Sequence, residues 1–161
     1  MKRATWVLVT FALAVTFGCG KSDAQDRTVP VSADDPQMNA AIRDARRTVA
    51  KFIAALKSPK SSQAGFSVKM RIDDGDAVEH FWLSQVSFEG TVFRGVIDND
   101  PDTVTNVRLG DPERVKPSEI SDWMYVDHGV LVGGYTIRAL RARLPAAERA
   151  EFDRSLPFKI E

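Results

Sequence analysis

The sequence predicts an α+β fold in which an N-terminal amphipathic helix packs on an antiparallel sheet of about four to six strands, with short helices at the C-terminal end. Three observations predict it. Apolar residues recur at helical spacing after Asp35, and apolar and polar residues alternate from Phe66 onward. Asp-Gly and Glu-Gly pairs then separate the alternating runs, as hairpin turns do.

The helix is expected to begin after Asp35, which can cap it, with Pro36 where its missing N–H is harmless. The apolar face has spacings of four and three residues and comprises Met38, Ile42, Ala45, Val49, Phe52 and Leu56. The other side carries Arg43, Asp44, Arg46, Arg47 and Lys51. We interpret it as a solvated helix face. The alternative is a basic strip that faces phospholipid or an acidic partner.

The middle of the chain is β-rich and predicts four antiparallel strands behind the helix. The first hairpin is expected to close at Asp74-Gly75 in a type I′ turn, which would place His80 opposite Lys69. The expected strands are 66–72, 77–88, 91–97 and, with weaker patterning, 103–109.

The last third of the chain predicts two short strands and two helices. The strands are expected at 123–126 and 130–132, around an Asp127-His128-Gly129 turn. Gly133-Gly134 ends the second strand. Thr136 can cap the next helix, and Pro145 is expected to start the last one, which runs to about Phe152.

The first residues predict an export signal. Lys2 and Arg3 precede an apolar run of roughly thirteen residues, shorter than the about 20 that a membrane-spanning helix needs. The run ends at Gly18-Cys19, which resembles a bacterial lipobox. Cys19 is therefore the expected lipidation site, through which acyl chains would anchor the protein to a membrane.

A second cleavage site gives the alternative. Thr16 stands where lipoboxes usually carry Leu, and Ser22-Asp23-Ala24 suits ordinary signal-peptidase cleavage after Ala24, which would release a soluble periplasmic protein. The lipoprotein resemblance, with Gly20 after the cysteine, implies an outer-membrane lipoprotein that faces the periplasm.

Three segments follow from these boundaries. They are a signal peptide over 1–18, a flexible polar tether over 19–34 and a single α+β domain over 35–161. The whole chain is formally neutral, and removal of Lys2 and Arg3 leaves a small acidic excess. This charge predicts no nucleic-acid partner. A single cysteine also excludes an internal disulfide.

Several stretches resemble the YegJ-like bacterial family, domain of unknown function 2314. They are 66–70, 79–83, 93–97, 120–124 and 133–138, of which Ser121-Asp122-Trp123 and the run from Gly133 to Arg138 are the most specific. The resemblance covers about residues 35–144. It implies a small α+β domain, often exported, with no assigned activity and no catalytic residues to transfer. A weaker similarity to immunity proteins of toxin systems suggests an alternative role.

The chain offers few catalytic or ligand-binding candidates. Glu79, Asp122, His80 and His128 could form an acid–base pair or a zinc site. Neighbouring strand residues point to opposite faces, however, so Glu79 and His80 should not share one pocket. The acidic turns at 73–76 and 98–102 lack the remaining ligands of a calcium loop, and Gly133-Gly134 lacks the rest of a phosphate-binding motif. The sequence therefore predicts no catalytic residue, metal or cofactor.

The stretch around Ser121-Asp122-Trp123 is the candidate recognition surface, together with Tyr125, Tyr135 and Arg138. A structural role is the main interpretation: Asp122 would accept hydrogen bonds from backbone N–H groups or from Arg138, and Trp123 would fill the core or line a groove.

The predicted function is a non-enzymatic binding module at the bacterial cell envelope. Its partners would be the membrane, through the lipid anchor, and an unknown envelope protein or other macromolecule. The alternatives are an immunity-type inhibitor of a secreted toxin and an envelope hydrolase that uses Asp122, His80 or His128.

Overall fold

The computed structural model describes residues 6–9, 29–32 and 34–161. Over residues 34–161 it confirms the α+β class, with six antiparallel strands and three helices. In chain order the elements are β1 (Trp6–Val9), β2 (Val29–Ser32), α1 (Pro36–Lys57), β3 (Gln63–Asp74), β4 (Ala77–Glu89), β5 (Val92–Ile97), β6 (Pro112–Val115), β7 (Ile120–Asp127), β8 (Val130–Gly133), α2 (Tyr135–Arg143) and α3 (Ala146–Ser155).

The six strands of the domain lie in the order β6-β5-β4-β3-β7-β8, and every neighbouring pair is antiparallel. The two N-terminal strands pair antiparallel with each other, and β1 runs parallel to β4, with Leu8 beside Glu79. β4 is central because it pairs with β3 on one side and with β5 and β1 on the other.

The first helix begins and ends where the sequence predicts. The Asp35 carboxylate accepts a hydrogen bond from the Met38 N–H at 2.9 Å, and Ser58 follows the last turn. Ala45 and Phe52 are fully buried, and α1 packs mainly on β7. The predicted amphipathic helix on an antiparallel sheet is confirmed.

Two apolar clusters lie on opposite faces of the sheet. The cluster under α1 contains Phe52, Leu83 and Trp123, whereas the other contains Trp82 and Met124. Adjacent residues of β4 and of β7 thus enter different clusters, as the two-residue period of a strand requires. The second cluster is completed by α2 and the C-terminal segment, through Ile137 and Phe158.

The expected strand at 103–109 is wrong. These residues form an irregular segment that covers the sheet, where Val104 and Val107 are buried. The carboxylate of Asp74 accepts hydrogen bonds from the Thr105 N–H and hydroxyl at 2.7 and 2.8 Å, which satisfies these groups without a strand partner. The strand that pairs with β5 is instead β6, a few residues later in the chain.

The register of the first hairpin also differs from expectation. Asp74 pairs with Ala77, so the two turn residues are Gly75 and Asp76. Only Gly75 has a positive φ, which fits a type II′ turn and not the predicted type I′. His80 consequently lies opposite Arg71 and not opposite Lys69.

The second helix begins at Tyr135, with Gly134 as its N-cap residue at φ +62°. Thr136 is therefore inside the first turn and not the cap. The third helix follows Pro145, as predicted, and ends slightly later, at Ser155.

The N-terminal predictions lie largely outside the described residues. Of the segment 1–18 the structure describes β1, and of the segment 19–34 it describes β2 and Asp34, whereas Cys19 is not among the described residues. Among the described helices, none combines the length and apolar character needed to span a bilayer.

Candidate functional site

A cleft lies between the N-terminal half of α1 and the ends of β3, β4 and β6. Its volume is ≈ 670 Å³, within the size range of small-molecule sites. We call it the basic cleft. Its lining consists of Met38, Asn39, Ile42, Arg43, Arg46, Lys69, Met70, Arg71, Asp73, His80, Arg114, Val115, Ser118, Glu119, Ser121 and Thr136.

The charge of the cleft is predominantly positive. Three elements supply five cationic side chains: Arg43 and Arg46 from α1, Lys69 and Arg71 from β3, and Arg114 from β6.

Two carboxylates, from Asp73 and Glu119, also line the cleft. Asp73 is paired with Arg71, whose Nε lies 2.9 Å from Oδ1, and Glu119 is paired with Lys116 at 3.2 Å. Both acids thus already have a cationic partner, and the remaining cleft cations outnumber them.

Three guanidinium groups of the cleft have no carboxylate partner within residues 34–161. Those of Arg43 and Arg114 make no hydrogen bond or ion pair in this part of the chain. Arg46 donates to two backbone carbonyl oxygens, that of Ile120 at 2.7 Å and that of Glu119 at 3.5 Å, which carry no formal charge. These groups can therefore bind an anion without first breaking an ion pair.

Lys69 brings a buried charge to the cleft. The residue is fully buried, and its ammonium nitrogen lies 5.2 Å from the centre of the Trp82 ring, in cation–π range. Its backbone pairs with Trp82 on one side and Asp122 on the other. Its positive charge disfavours the protonated form of both neighbouring groups, His80 and Asp122, in addition to the larger effect of burial on the pKa of each.

A histidine–serine pair lies in the same cleft. The Nδ1 atom of His80 is 2.8 Å from the Ser121 hydroxyl oxygen. Burial lowers the pKa of His80 to about 3, and the charges of Lys69, Arg71 and Arg46 act in the same direction while Asp73 opposes them. The imidazole is therefore neutral at neutral pH.

This depressed pKa predicts an acid-dependent loss of stability. The unfolded chain protonates His80 near pH 6.5, whereas the folded chain does not until about pH 3. Between these values the unfolded state binds more protons, so the free energy of unfolding falls as the pH falls, by at most about 1.4 kcal/mol per pH unit from this residue. His80→Asn, which keeps a polar atom near the Nδ1 position, is expected to remove this part of the slope.

Urea denaturation between pH 4 and pH 7 measures the effect. The matched control is His128→Asn, since the His128 side chain is 83% exposed and asparagine tolerates its positive φ of 49°. Parallel pH profiles for wild type and His80→Asn would contradict the depressed pKa of His80.

Asp122 caps the second helix from inside the core. The residue is fully buried, and its Oδ2 accepts from the Thr136 N–H and hydroxyl at 2.7 and 2.6 Å. Its Oδ1 accepts from the N–H groups of Trp123 at 2.8 Å and Tyr135 at 3.1 Å. Burial raises the pKa of Asp122, while these hydrogen bonds and Lys69 lower it. The helix N-terminus, which could otherwise attract an anion, is thus occupied by the protein's own carboxylate.

Of the two predicted donors to Asp122, backbone N–H groups and Arg138, the structure shows the backbone N–H groups, and Arg138 lies elsewhere. Arg138 donates to the carbonyl oxygens of Gly133 at 2.9 Å and Leu131 at 2.8 Å, and also to that of Glu161. Through these hydrogen bonds Arg138 connects the second helix with β8 and with Glu161.

The candidate recognition residues are assembled mainly as core. Trp123 is 1% exposed and donates its indole N–H to the Ala45 carbonyl at 2.9 Å. Tyr125 stacks on Phe66 with ring centres 5.0 Å apart, and the Tyr135 hydroxyl accepts from Thr48 at 2.7 Å. Because Asp122, Trp123 and Tyr125 are buried, these three side chains do not form an exposed surface.

Glu79 and His80 face in opposite directions, as the strand period predicts. The buried Glu79 carboxylate accepts hydrogen bonds from the N–H groups of Asp102 and Thr103, both at 3.1 Å, and so holds the irregular segment after β5. Within residues 34–161, no group of three or more His, Cys, Asp and Glu side chains is placed to hold a metal ion.

The basic cleft was not predicted from the sequence. Arg43 and Arg46 lie on the helix side interpreted mainly as a solvated face, and no sequence pattern connected them with Lys69, Arg71 or Arg114. The available signal was the basic residues at alternate positions of β3, Lys69 and Arg71, on a strand that is otherwise apolar at its centre.

These features define a small α+β domain with a ligand-sized basic cleft. The chain belongs to the family described as "Uncharacterized protein conserved in bacteria (DUF2314)", whose model matches residues 35–160. It is 38% identical over 145 residues to "Uncharacterized protein YegJ" of Escherichia coli strain K12, covering 90% of this chain and 94% of that protein.

A second relative shares a shorter region. This is the "Putative ankyrin repeat protein NMB1133/NMB1171" of Neisseria meningitidis serogroup B, 41% identical over 81 residues. The match covers 50% of this chain and 32% of that protein. No solved structure matches the chain.

Proposed function

We propose that this protein is a non-enzymatic binding module of the bacterial cell envelope whose basic cleft binds an anionic ligand. The observation that carries the proposal is the convergence of Arg43, Arg46 and Arg114 on one cavity without a carboxylate partner within residues 34–161. All three arginines are exposed, so solvent screens part of their mutual repulsion, and a bound anion would remove the rest. A ligand that supplies this charge would gain several charge-assisted hydrogen bonds.

The Ser121–His80 contact favours a second candidate, a hydrolase, because a histidine beside a serine hydroxyl is the arrangement that activates a nucleophile. Two observations weigh against it. A histidine with a pKa of about 3 is a weak general base at neutral pH. Ser121 is also 2% exposed, which restricts a substrate's approach to its hydroxyl. We therefore assign no catalytic role to the pair.

The envelope location rests on the leader sequence. The basic start, the apolar run and Gly18-Cys19 support export and lipidation at Cys19, with a lipoprotein of the outer membrane facing the periplasm as the product. Cleavage after Ala24 would give a soluble periplasmic form. Labelling with radioactive palmitate tests this part: wild type should incorporate the label and Cys19→Ser should not.

Charge reversal in the cleft tests the binding proposal. In wild type, pyrophosphate and citrate at constant ionic strength are expected to raise the melting temperature above its value in chloride, because a ligand that binds only the folded state stabilises it. Arg43→Glu combined with Arg114→Glu should abolish this increase, since the variant places two carboxylates where the anion would lie.

The control is Arg47→Glu combined with Arg154→Glu. Arg47 lies one turn beyond Arg43 on the same helix and Arg154 near the end of α3, and neither lines the cleft. The control has the same net charge as the test variant and should respond to the anions as wild type does. An equal loss of the response in both variants would indicate only general electrostatic attraction. Comparable melting curves in chloride establish that the test variant folds.

A further inference from the structure

We infer that the ligand of the basic cleft carries a phosphate monoester, a tetrahedral group with two negative charges, attached to a larger organic body. The inference deepens the proposed function and rests on it. It follows from the number of cations, the directions from which they come and the apolar part of the lining.

The number of cations favours a dianion. After Asp73 is paired with Arg71 and Glu119 with Lys116, the cleft still presents Arg43, Arg46 and Arg114. A singly charged group would leave most of this charge unbalanced. A phosphate monoester has a second pKa near 6 and is therefore close to doubly charged above neutral pH.

The directions of the cations favour a tetrahedral group. Arg43 and Arg46 are one turn apart on α1. Arg114 comes from a different element, the edge strand β6. A planar carboxylate matches the fork of a single guanidinium group. Three terminal phosphate oxygens can instead accept from donors that approach from several sides.

The remaining lining favours an organic body on the phosphate. Met38, Ile42, Met70 and Val115 give the cleft an apolar portion, and its volume of ≈ 670 Å³ is far larger than an inorganic anion requires. The group could belong to a free phosphorylated metabolite or to the head group of a membrane lipid. Both sources present the same chemistry to the cleft.

Titration calorimetry of the full chain in detergent at pH 8 tests the inference. The soluble probes are phenyl phosphate, phenyl sulfate and benzoate, which share an aromatic body and differ in the charge and shape of the anionic group. We expect phenyl phosphate to bind with 1:1 stoichiometry and at least about tenfold more tightly than the other two. Arg43→Ala and Arg114→Ala should each weaken it by about tenfold, whereas Arg47→Ala should not.

Mixed micelles distinguish the two sources. Phosphatidic acid presents a phosphate monoester and phosphatidylglycerol a singly charged diester. Tighter binding to phosphatidic acid than to phenyl phosphate supports a lipid head group, and the reverse supports a free metabolite.

The results distinguish failure of the phosphate assignment from failure of the proposed anion-binding function. Equal affinity for phenyl sulfate and phenyl phosphate, or preferential cleft-dependent binding of benzoate, would overturn the phosphate assignment and leave an anion-binding cleft. If none of the probes and neither pyrophosphate nor citrate binds, both proposals fail. Release of phenol that is lost in Ser121→Ala would contradict the non-enzymatic function.

Discussion

Gly133→Ala is expected to lower the free energy of unfolding by about 3–5 kcal/mol, because it combines backbone strain with overpacking of the core. Gly133 has a φ of +77°, and a Cβ atom there would lie 2.3 Å from the Trp123 carbonyl oxygen and 2.6 Å from its ring. The Trp123 ring is itself held between Phe52 and Tyr135, with centroid distances of 5.5 and 5.7 Å. The strand therefore has little room to move away.

The matched control is Gly129→Ala. Gly129 has nearly the same φ, +78°, but a Cβ atom there would have no neighbour within 4 Å. Only the backbone strain remains, so we expect a loss of about 1 kcal/mol. Urea denaturation of the two variants separates the contributions. Equal losses would show that Gly133 is not closely packed against Trp123.

Asp122→Ala is expected to lower the free energy of unfolding by about 3–5 kcal/mol. The substitution leaves the N–H groups of Trp123, Tyr135 and Thr136 and the Thr136 hydroxyl without their acceptor in the core. The gain from no longer burying a carboxylate offsets part of this cost. Asp122→Asn should also destabilise, by about 2 kcal/mol, because a side-chain amide has one acceptor oxygen where the carboxylate has two.

Asp35→Ala provides the comparison, since Asp35 caps the first helix from a half-buried position at the edge of the protein, where its carboxylate also pairs with Arg143. Water can replace its oxygen there, so about 1 kcal/mol is expected. Urea denaturation measures the loss of unfolding free energy in both variants. The larger loss in Asp122→Ala than in Asp35→Ala reports the effect of burying the donors. Similar losses at both positions would contradict the assignment of Asp122 as the group that satisfies buried donors.

Local signals predicted most of the fold. Asp35-Pro36 marks the start of the first helix, and the alternating run from Phe66 identifies the central hairpin, because capping and side-chain period are properties of neighbouring residues. The wrong predictions arose where residues distant in the chain determine the local structure. The segment at 103–109 has strand-like alternation, but the carboxylates of Glu79 and Asp74 bind its backbone N–H groups and replace a strand partner.

The candidate site was less accessible to sequence reasoning, because it depends on register. With the hairpin closed at Gly75-Asp76, His80 pairs with Arg71, and its ring meets Ser121 from β7. Arg114 joins the cleft only because β6 folds back along β5. Residues from Met38 to Thr136, which belong to six different elements and a loop, thus meet in one cavity. In contrast, Trp123 and Tyr125, which have the composition of binding anchors, are used to fill the core.

The most direct test of the account is a ¹H–¹⁵N correlation spectrum of the ¹⁵N-labelled chain, titrated with pyrophosphate at constant ionic strength. If the basic cleft is the ligand site, the largest shifts will saturate together and lie at 38–46, 69–71, 80 and 114–121. Shifts that do not saturate, or that are equally large around Arg94 and Arg154, would contradict a specific anion site in the cleft.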